Sequence, residues 1–324
     1  MSEQPPREFG PVISQSGLVN PDALGDTPAS GRIRKDFPWW LLMLVAIILV
    51  MVKASVTNPD YNEAFRSIFP WPMIEDTVEN GEVVGRNLIK SRGIILTLLL
   101  TFGSFLVSMF LGLLIGLGRI AGIDRGAAQS GGPIKAFLIT AIRNISRLYI
   151  EFVRGIPMLV FIFVIAQVLT PDFASLINDN TSFELSTRDI DEIYRAGAAL
   201  SLFYAAFIAE VFRAGIQSVP AGQIEAGRAI GLSNFVIMRK VVLPQAIRNM
   251  LPALGNDLIS LMKDTSLVSV LAVRELTQMA RLYTGSTFRF REGFFILTVL
   301  YVTMTLSLSL LLRWYEKRIA IPGY

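Results

Sequence analysis

The sequence predicts an all-α, polytopic membrane protein with about six transmembrane helices. Hydrophobic residues make up 52% of its 324 residues, and the mean hydropathy of +0.51 exceeds that of most soluble globular chains. Several apolar runs approach or exceed the roughly 20 residues that a helix needs to cross a bilayer. We therefore interpret the chain as an integral membrane protein.

The composition excludes several kinds of chemistry. The chain has no cysteine and no histidine, which excludes disulfides, thiol nucleophiles, imidazole bases and the commonest zinc ligands. The phosphate-loop pattern G-x-x-x-x-G-K-[ST] is absent, since no Gly–Lys pair occurs in the sequence. If the protein uses ATP, a separate chain is expected to bind it. The net charge of +4 is modest and its basic residues lie at membrane boundaries, so no nucleic-acid partner is expected.

The first third of the chain begins with a polar tail. Residues 1–36 are rich in Pro, Gly and Ser and are predicted to be disordered and cytoplasmic. The apolar run 41–52 reaches spanning length only if the aromatic residues before it and Lys53 after it lie at the two interfaces. We interpret residues 37–92 as this extra, uncleaved transmembrane helix and a polar outer segment.

Five further transmembrane helices are predicted. Their ranges are Gly93 to Leu117, Gly155 to Leu169, Ala196 to Val211, Leu251 to Val273, and Phe294 to Leu312. In the first of these, small side chains recur every fourth residue, at Ser104, Ser108, Gly112 and Gly116. Because helices in lipid lack a hydrophobic drive to associate, such a stripe predicts close packing against another helix.

The distribution of Lys and Arg predicts the orientation of the spans. The segments 119–147 and 213–249 are basic, whereas residues 171–195 are rich in acids. We therefore expect the two basic segments to be cytoplasmic loops, with both termini, including residues 319–324, on the same side. Residues 274–291 are then a short outer loop.

The loop from Ser218 to Pro244 predicts a helix–turn–helix at the cytoplasmic surface. Pro220 suits the first turn of a short helix, which Gly231 would end in a left-handed conformation. Ser233 can cap a second helix. On physical grounds alone, this hairpin is either an interfacial amphipathic element without a partner or a surface that meets a soluble protein.

The predicted helix 251–273 carries polar side chains that are costly within a span, at Asp257, Lys263, Asp264, Thr265 and Ser266. Asp257 and Asp264 share a face, about 10 Å apart along the axis. Charged residues within a span normally face the bundle interior or a water-filled path, so these residues predict a substrate path. For a zwitterionic substrate such as an amino acid, Asp264 would receive the ammonium, and Lys263 or freed backbone donors the carboxylate. The alternative is an internal Lys–Asp pair that braces the bundle.

Two E-x-x-R patterns place opposite charges one helical turn apart near the cytoplasmic ends of helices. They are Glu151 with Arg154 and Glu210 with Arg213. We interpret both as bracing or gating elements near the inner mouth rather than as substrate contacts.

The loop 218–244 resembles the EAA loop of permease subunits in bacterial ATP-binding-cassette (ABC) importers. That pattern, E-A-A, three residues, G, nine residues and I-x-L-P, is matched by Glu225, Ala226, Gly227, Gly231, Val241, Leu243 and Pro244. Gly227 replaces the second Ala, and Val241 replaces Ile.

Further motifs make the resemblance closest to the polar amino-acid uptake permeases. The run YIEFVRGIP at 149–157 is similar to Y-x-E-x-F-R-G-T-P, with Val153 and Ile156 as departures. AEVFRAGIQSVP at 209–220 and GNDLISLMKDTSL at 255–267 also fit that family. The resemblance covers roughly residues 93–318.

The resemblance implies a five-helix type I ABC-importer permease core at residues 93–318, in the bacterial inner membrane and preceded by the extra helix. The loop would act as a coupling helix in a groove of a cytoplasmic ATPase, with Glu225 in polar contact and Gly231 at the turn. The K-D-T-S segment would lie along the substrate path. The implied partners are two ATPase subunits that bind ATP and Mg, a second permease (identical or related), a solute-binding protein outside, and membrane lipid.

The predicted function is therefore the non-catalytic transmembrane subunit of an ATP-driven amino-acid importer, with no cofactor of its own. One alternative is a stand-alone ion-coupled carrier or channel in which Lys263 and Asp264 form a relay. Another is a membrane scaffold that moves nothing. The missing nucleotide motif, together with the EAA loop, favours the importer subunit.

Overall fold

The computed structural model describes 57–69, the strands 75–79 and 82–87, 93–120, 132–180, 190–319 and a few isolated positions between 45 and 53. The predicted tail 1–36 and most of the predicted first helix lie outside these residues. The chain divides into two units, 1–51 and 52–324, and everything below concerns the second.

The described residues are predominantly helical, so the predicted all-α class is confirmed. The helices are α1 (Pro59–Ile68), α2 (Ile94–Ile120), α3 (Gly132–Arg154), α4 (Met158–Asn180), α5 (Glu192–Gln217), α6 (Ala221–Ala229), α7 (Asn234–Ile237), α8 (Leu243–Asp264), α9 (Leu276–Thr287) and α10 (Phe290–Ile319). π-Helical turns occur within α4 (Val164–Leu169) and between α7 and α8 (Met238–Val242). A small antiparallel hairpin, β1 (Glu75–Glu79) and β2 (Glu82–Asn87), precedes α2.

The number of spans predicted from the sequence is not confirmed. In the part of the chain that the structure describes, four helices are long and apolar enough to cross a membrane, namely α2, α4, α5 and most of α10. The ends of the predicted helices also shift, because α4 and α5 extend into the acid-rich segment 171–195. Asp191 caps α5 by accepting a hydrogen bond from the backbone N–H of Ile193 at 3.0 Å.

The predicted cytoplasmic loop 119–147 is partly wrong, because α3 fills its second half. The apolar residues Ile134, Phe137 and Ile145 recur at helical spacing but are exposed. Basic residues between them, such as Lys135 and Arg143, made the segment look like a charged loop.

The predicted helix Leu251 to Val273 also has the wrong ends. α8 begins at Leu243, with Pro244 in its first turn, where the missing N–H costs no hydrogen bond. It ends at Asp264, where a 3-10 helix (Thr265–Leu271) takes over. Lys263 and Asp264 therefore lie at the end of the α-helix and not at its middle.

The helix α5 lies at the centre of the bundle. In its most apolar window 56% of the residues are buried, against 28–33% for the other three span-like helices. Its buried residues Leu200 and Ile208 belong to one core cluster with Leu261 and Met262 of α8. The other helices are therefore arranged around α5.

The predicted small-residue stripe on α2 packs against α5, as its spacing indicated. Ser108 donates its hydroxyl to the carbonyl of Ser201 at 2.9 Å, and Ser104 donates to the carbonyl of Gly197 at 3.3 Å. Both serines are buried. Hydroxyl bonds to a neighbouring backbone require the two helices to approach closely.

The glycines of the stripe allow this approach on the next turns. A Cβ on Gly112 would lie 2.8 Å from Cγ2 of Ile208, and one on Gly116 would lie 2.9 Å from the carbonyl oxygen of Ala209. Backbone is the nearest neighbour at Gly116, so no side-chain movement would relieve the clash there.

The start of α2 is tied to the start of α9 through buried polar contacts. Gly93 donates its N–H to the carbonyl of Arg274 at 2.8 Å, and Leu276 donates its N–H to the hydroxyl of Thr97 at 3.2 Å. Glu275, between these contacts, is fully buried. No local pattern indicated a buried acid in this predicted outer loop.

Glu275 caps α9 with its carboxylate. It accepts hydrogen bonds from the backbone N–H groups of Thr277 and Gln278, both at 2.8 Å, and from the hydroxyl of Tyr301 at 3.0 Å. Burial raises the pKa of Glu275 to about 7, although these hydrogen bonds lower it. The residue therefore binds a proton more tightly in the folded chain than in the unfolded one.

The segment before α2 packs onto the same region. Ala64 and Ile68 of α1 are buried in a cluster with Leu276 and Ile296. The guanidinium of Arg289 bonds Asp60 at 3.1 Å and Glu63 at 2.7 Å, which holds α1 against the junction of α9 and α10.

Replacing Gly112 by Leu should weaken the contact between α2 and α5. Overpacking of a close contact costs about 1–3 kcal/mol, so the apparent melting temperature of the purified protein should fall. The matched control is Gly103→Leu in the same helix, where an added Cβ meets nothing within 4 Å. Equal melting temperatures for the two variants would contradict the proposed packing.

Glu275 should make stability depend on pH. Its carboxyl binds a proton with a pKa of about 7 when folded and near 4.5 when unfolded, so stability should fall as the pH rises from 4.5 to 7. The loss is on the order of 3 kcal/mol. Melting temperatures measured at several pH values should show this loss in the wild type and not in Glu275→Gln. The exposed control Glu63→Gln should retain it, and an unchanged profile in Glu275→Gln would refute the assignment.

Candidate functional site

The loop between α5 and α8 forms the predicted hairpin of two short helices. Gly231 adopts φ +79 and ends the first helix, since Leu232 donates its N–H to the carbonyl of Gly227 at 3.1 Å. The hydroxyl of Ser233 accepts a hydrogen bond from the N–H of Val236 at 3.4 Å and caps α7. The predicted turn and cap are thus both confirmed.

Gly227, a departure from the E-A-A pattern, has a structural reason. It is the buried residue of α6, and a Cβ there would lie 3.0 Å from Cγ1 of Ile237. Glycine therefore lets α6 approach α7 closely.

The hairpin is fixed to α8 from two sides. Gln245 donates its side-chain amide to Gln223 at 2.5 Å, and Asn249 donates to the hydroxyl of Ser218 at 2.8 Å. Side-chain bonds thus join both α6 and the end of α5 to the first turns of α8.

The outer surface of the hairpin combines a carboxylate with apolar side chains. Ile230 is 76% exposed and Phe235 is 73% exposed. The exposed positions of the motif are Glu225, Ala226, Gly231, Leu243 and Pro244, while Val241 is half-buried. Large apolar side chains at such exposure are typical of a surface that contacts a partner.

Asp264 is held by a hydrogen bond that sequence reasoning missed. The hydroxyl of Tyr204, on α5, donates to its Oδ2 at 2.6 Å. In the residues that the structure describes, Lys263 and Asp264 form no ion pair within 4 Å, and Lys263 is exposed. Tyr204 is 60 residues away in sequence, and no local pattern indicated the contact.

The neighbouring hydroxyl residues differ in burial. Thr265 is fully buried and donates its hydroxyl to the carbonyl of Met262 at 2.7 Å, whereas Ser266 is half-buried. Thr265 thus supports the change from α-helix to 3-10 helix.

Asp257 opens into a cavity of about 380 Å³ between α5 and α8. Its Oδ2 is buried and accepts no hydrogen bond from any described residue. Arg154 also lines this cavity, with its guanidinium 5.4 Å from the ring centroid of Phe207. The cavity therefore contains a carboxylate without a donor and a guanidinium.

Of the two E-x-x-R patterns, the structure forms one as an ion pair. Glu210 accepts from Arg213 at 2.5 Å and also binds Arg119 at the end of α2. Glu151 instead pairs with Arg147 at 2.8 Å. Among the described residues, the guanidinium of Arg154 lies over the ring of Phe207 and forms no ion pair with Glu151.

The polar groups therefore form two neighbouring sets. The cavity brings together Asp257, Arg154 and Glu210, and Asn249 and Ser218 line it near the hairpin. Lys263, Asp264, Thr265 and Ser266 do not line it and lie further along α8 and into the 3-10 helix.

Comparison with known proteins identifies the family. The profile of the "Binding-protein-dependent transport system inner membrane component" family matches residues 132–321, more than half of the chain. The chain belongs to this family. It is thus the transmembrane, non-catalytic subunit of an ATP-driven importer, a multi-pass protein of the inner membrane, and a stand-alone carrier is not favoured.

Several similar proteins have names that state a transport function. The chain is 34% identical over 196 residues to the probable amino-acid permease protein YxeN of Bacillus subtilis (strain 168), a match that covers 59% of this chain and 83% of the relative. It is 35% identical over 204 residues to the glutamine transport system permease protein GlnP of Escherichia coli (strain K12), covering 63% of this chain and 85% of the relative.

Solved structures agree with the fold. A crystal structure of an amino acid ABC transporter with histidines matches with a TM-score of 0.57 and 34% identity, covering 71% of this chain and 94% of that one. An inward-facing structure of the MetNI methionine ABC transporter matches with a TM-score of 0.52 and 24% identity, covering 71% of this chain and 95% of that one. The latter supports the fold alone.

Proposed function

We propose that the chain is the permease subunit of an amino-acid importer and that its substrate passes through the cavity at Asp257. The observation that carries this proposal is the presence of an unpartnered carboxylate and a guanidinium in one cavity. An α-amino acid carries an ammonium for the first and a carboxylate for the second. Relatives named as amino-acid and glutamine permeases support the same substrate class.

This proposal makes Asp257, and not Asp264, the preferred contact for the ammonium of the substrate. Asp264 already accepts the hydroxyl of Tyr204, so Asp257 has the greater need of a donor. We place Lys263, Asp264, Thr265 and Ser266 further along the same path, about 10 Å from Asp257 along the axis of α8.

The charged residues at the hairpin end of the cavity serve as a brace or gate. Glu210 joins the ends of α2 and α5 through Arg119 and Arg213, and it also lines the cavity. Movement of α5 would disturb this cluster and the cavity together. Glu151, paired with Arg147 on an exposed surface, contributes to bracing.

The hairpin is the coupling element. Its exposed Glu225 and apolar side chains suit the groove of a cytoplasmic ATPase, and its bonds to α8 provide a rigid connection to Asp257. In the assembly that we propose, two ATPase subunits bind ATP and Mg, a second permease subunit completes the path, and a solute-binding protein delivers the substrate outside. Both termini of this chain are then cytoplasmic.

Replacing Asp257 by Asn should reduce uptake. Loss of a charged hydrogen bond costs about 1.5–3 kcal/mol, which corresponds to roughly a 10- to 100-fold loss of uptake. The measurement is amino-acid uptake into proteoliposomes that contain the complete transporter, with Asn256→Ala as the exposed control on the same helix. Wild-type uptake by the Asp257→Asn variant would exclude a substrate contact at this carboxylate.

Changes in the hairpin should lower substrate-stimulated ATP hydrolysis and transport together. Glu225→Ala removes the exposed carboxylate, and Gly231→Val strains a residue at φ +79. Both variants should lower substrate-stimulated ATPase activity and uptake several-fold in the reconstituted complex. Asp179→Ala, at an exposed acid on α4, is the control. If both hairpin variants match it, the coupling role is wrong.

A further inference from the structure

A second cavity, of about 770 Å³, lies between α4 and α5 and shares no lining residue with the cavity at Asp257. Most of its walls are apolar and include Ile165, Leu169, Phe173, Leu176 and Leu202. Phe173 and Leu176 are largely exposed. Its volume lies within the range of about 300–1,000 Å³ that is typical of sites for small molecules.

This groove extends from the polar end of two spans into the apolar part of the bundle. Leu176 near the end of α4 and Tyr194 near the start of α5 both line the groove, so these two helix ends lie on the same side of it. Arg195 lies near that end, and Leu202 is about 10 Å deeper along α5. Tyr194, which is 56% exposed at the polar end, is a residue type enriched at membrane interfaces. The groove thus has a polar mouth and an apolar interior.

Arg195 at the mouth has a buried donor without a hydrogen-bond acceptor. Its side chain is only 13% exposed, and its Nε has no partner among the described residues. Its ion pair with Glu192 measures 3.3 Å, longer than a charge-assisted hydrogen bond. A guanidinium that is buried without enough acceptors is destabilising, and a phosphate oxygen would satisfy it.

The shape of the groove is built into α4. The π-helical turn Val164–Leu169 lies along its wall, and the hydroxyl of Thr170 donates to the carbonyl of Ile165 at 2.7 Å. π-Helical turns inside α-helices are frequent at functional sites. This turn supplies both Ile165 and Leu169 to the groove.

We propose that the groove binds one glycerophospholipid with an amine-bearing headgroup. The phosphate lies on the guanidinium of Arg195, an acyl chain follows the apolar wall of α4, and the ammonium faces Asp172. Asp172 is an exposed acid among the lining residues, and Glu192 pairs with Arg195, so these two acids outnumber the one arginine of the groove. A headgroup with both a phosphate and an ammonium therefore fits better than a purely anionic one.

The test uses the full-length chain in its complete transporter, purified from membranes that contain phosphatidylethanolamine and phosphatidylglycerol. Native mass spectrometry should find one tightly held phosphatidylethanolamine per chain. Arg195→Gln should reduce its retention about tenfold, and Phe173→Asn, an exposed change that keeps Arg195, should also reduce it. Arg281→Gln, an exposed arginine on α9, should leave retention unchanged.

Three results would overturn the proposal. The first is equal lipid retention by Arg195→Gln, Phe173→Asn and the wild type. The second is a preference for phosphatidylglycerol, which would exclude the amine match. The third is disulfide formation between two copies of the Leu176→Cys variant, which would show that a second copy covers the groove. The chain has no other cysteine that could form this disulfide.

Discussion

The close approach of α2 and α5 is the constraint on which the rest of the structure depends. Hydroxyl groups on one half of the stripe and glycines on the other bring the two backbones together without a hydrophobic drive. This contact fixes α5, which carries Tyr204 toward α8, Phe207 into the charged cavity and Glu210 to the cluster at its end. A small change in the position of α5 would therefore affect all three.

The two ends of α8 have different kinds of attachment. At its start, amide side chains bind it to the hairpin and to the end of α5. At its other end, the carboxylate of Asp264 is held by one phenol. Asp257 lies between these attachments, so a displacement that begins at the hairpin would reach the unpartnered carboxylate before it reached Asp264. This order suits a subunit whose energy source lies in another chain.

The features that were predicted correctly depend on residues close together in the sequence. The features that were missed depend on contacts between residues far apart in the sequence. Gly231 and Ser233 were predicted correctly because a left-handed turn and a helix cap depend on neighbouring residues alone. The α2 stripe was visible in its spacing. The start of α8 was missed because Pro244 suits a first turn as well as a break. Tyr204 and Glu275 make contacts across 60 and 26 residues respectively, which no local pattern encodes.

The π-helical turn Met238–Val242 sets the angle of the hairpin around the axis of α8. A π-helical turn holds one more residue than an α-helical turn, so deletion of a single residue there would restore α-helical geometry. Each residue of an α-helix advances the chain by about 100° around the axis. Because the π-helical turn already absorbs the extra residue, that deletion would leave the face that carries Glu225 near its present angle. Winding the same five residues as α-helix would instead turn that face by roughly 100° about α8. The π-helical winding of this short stretch therefore determines the direction in which the hairpin points.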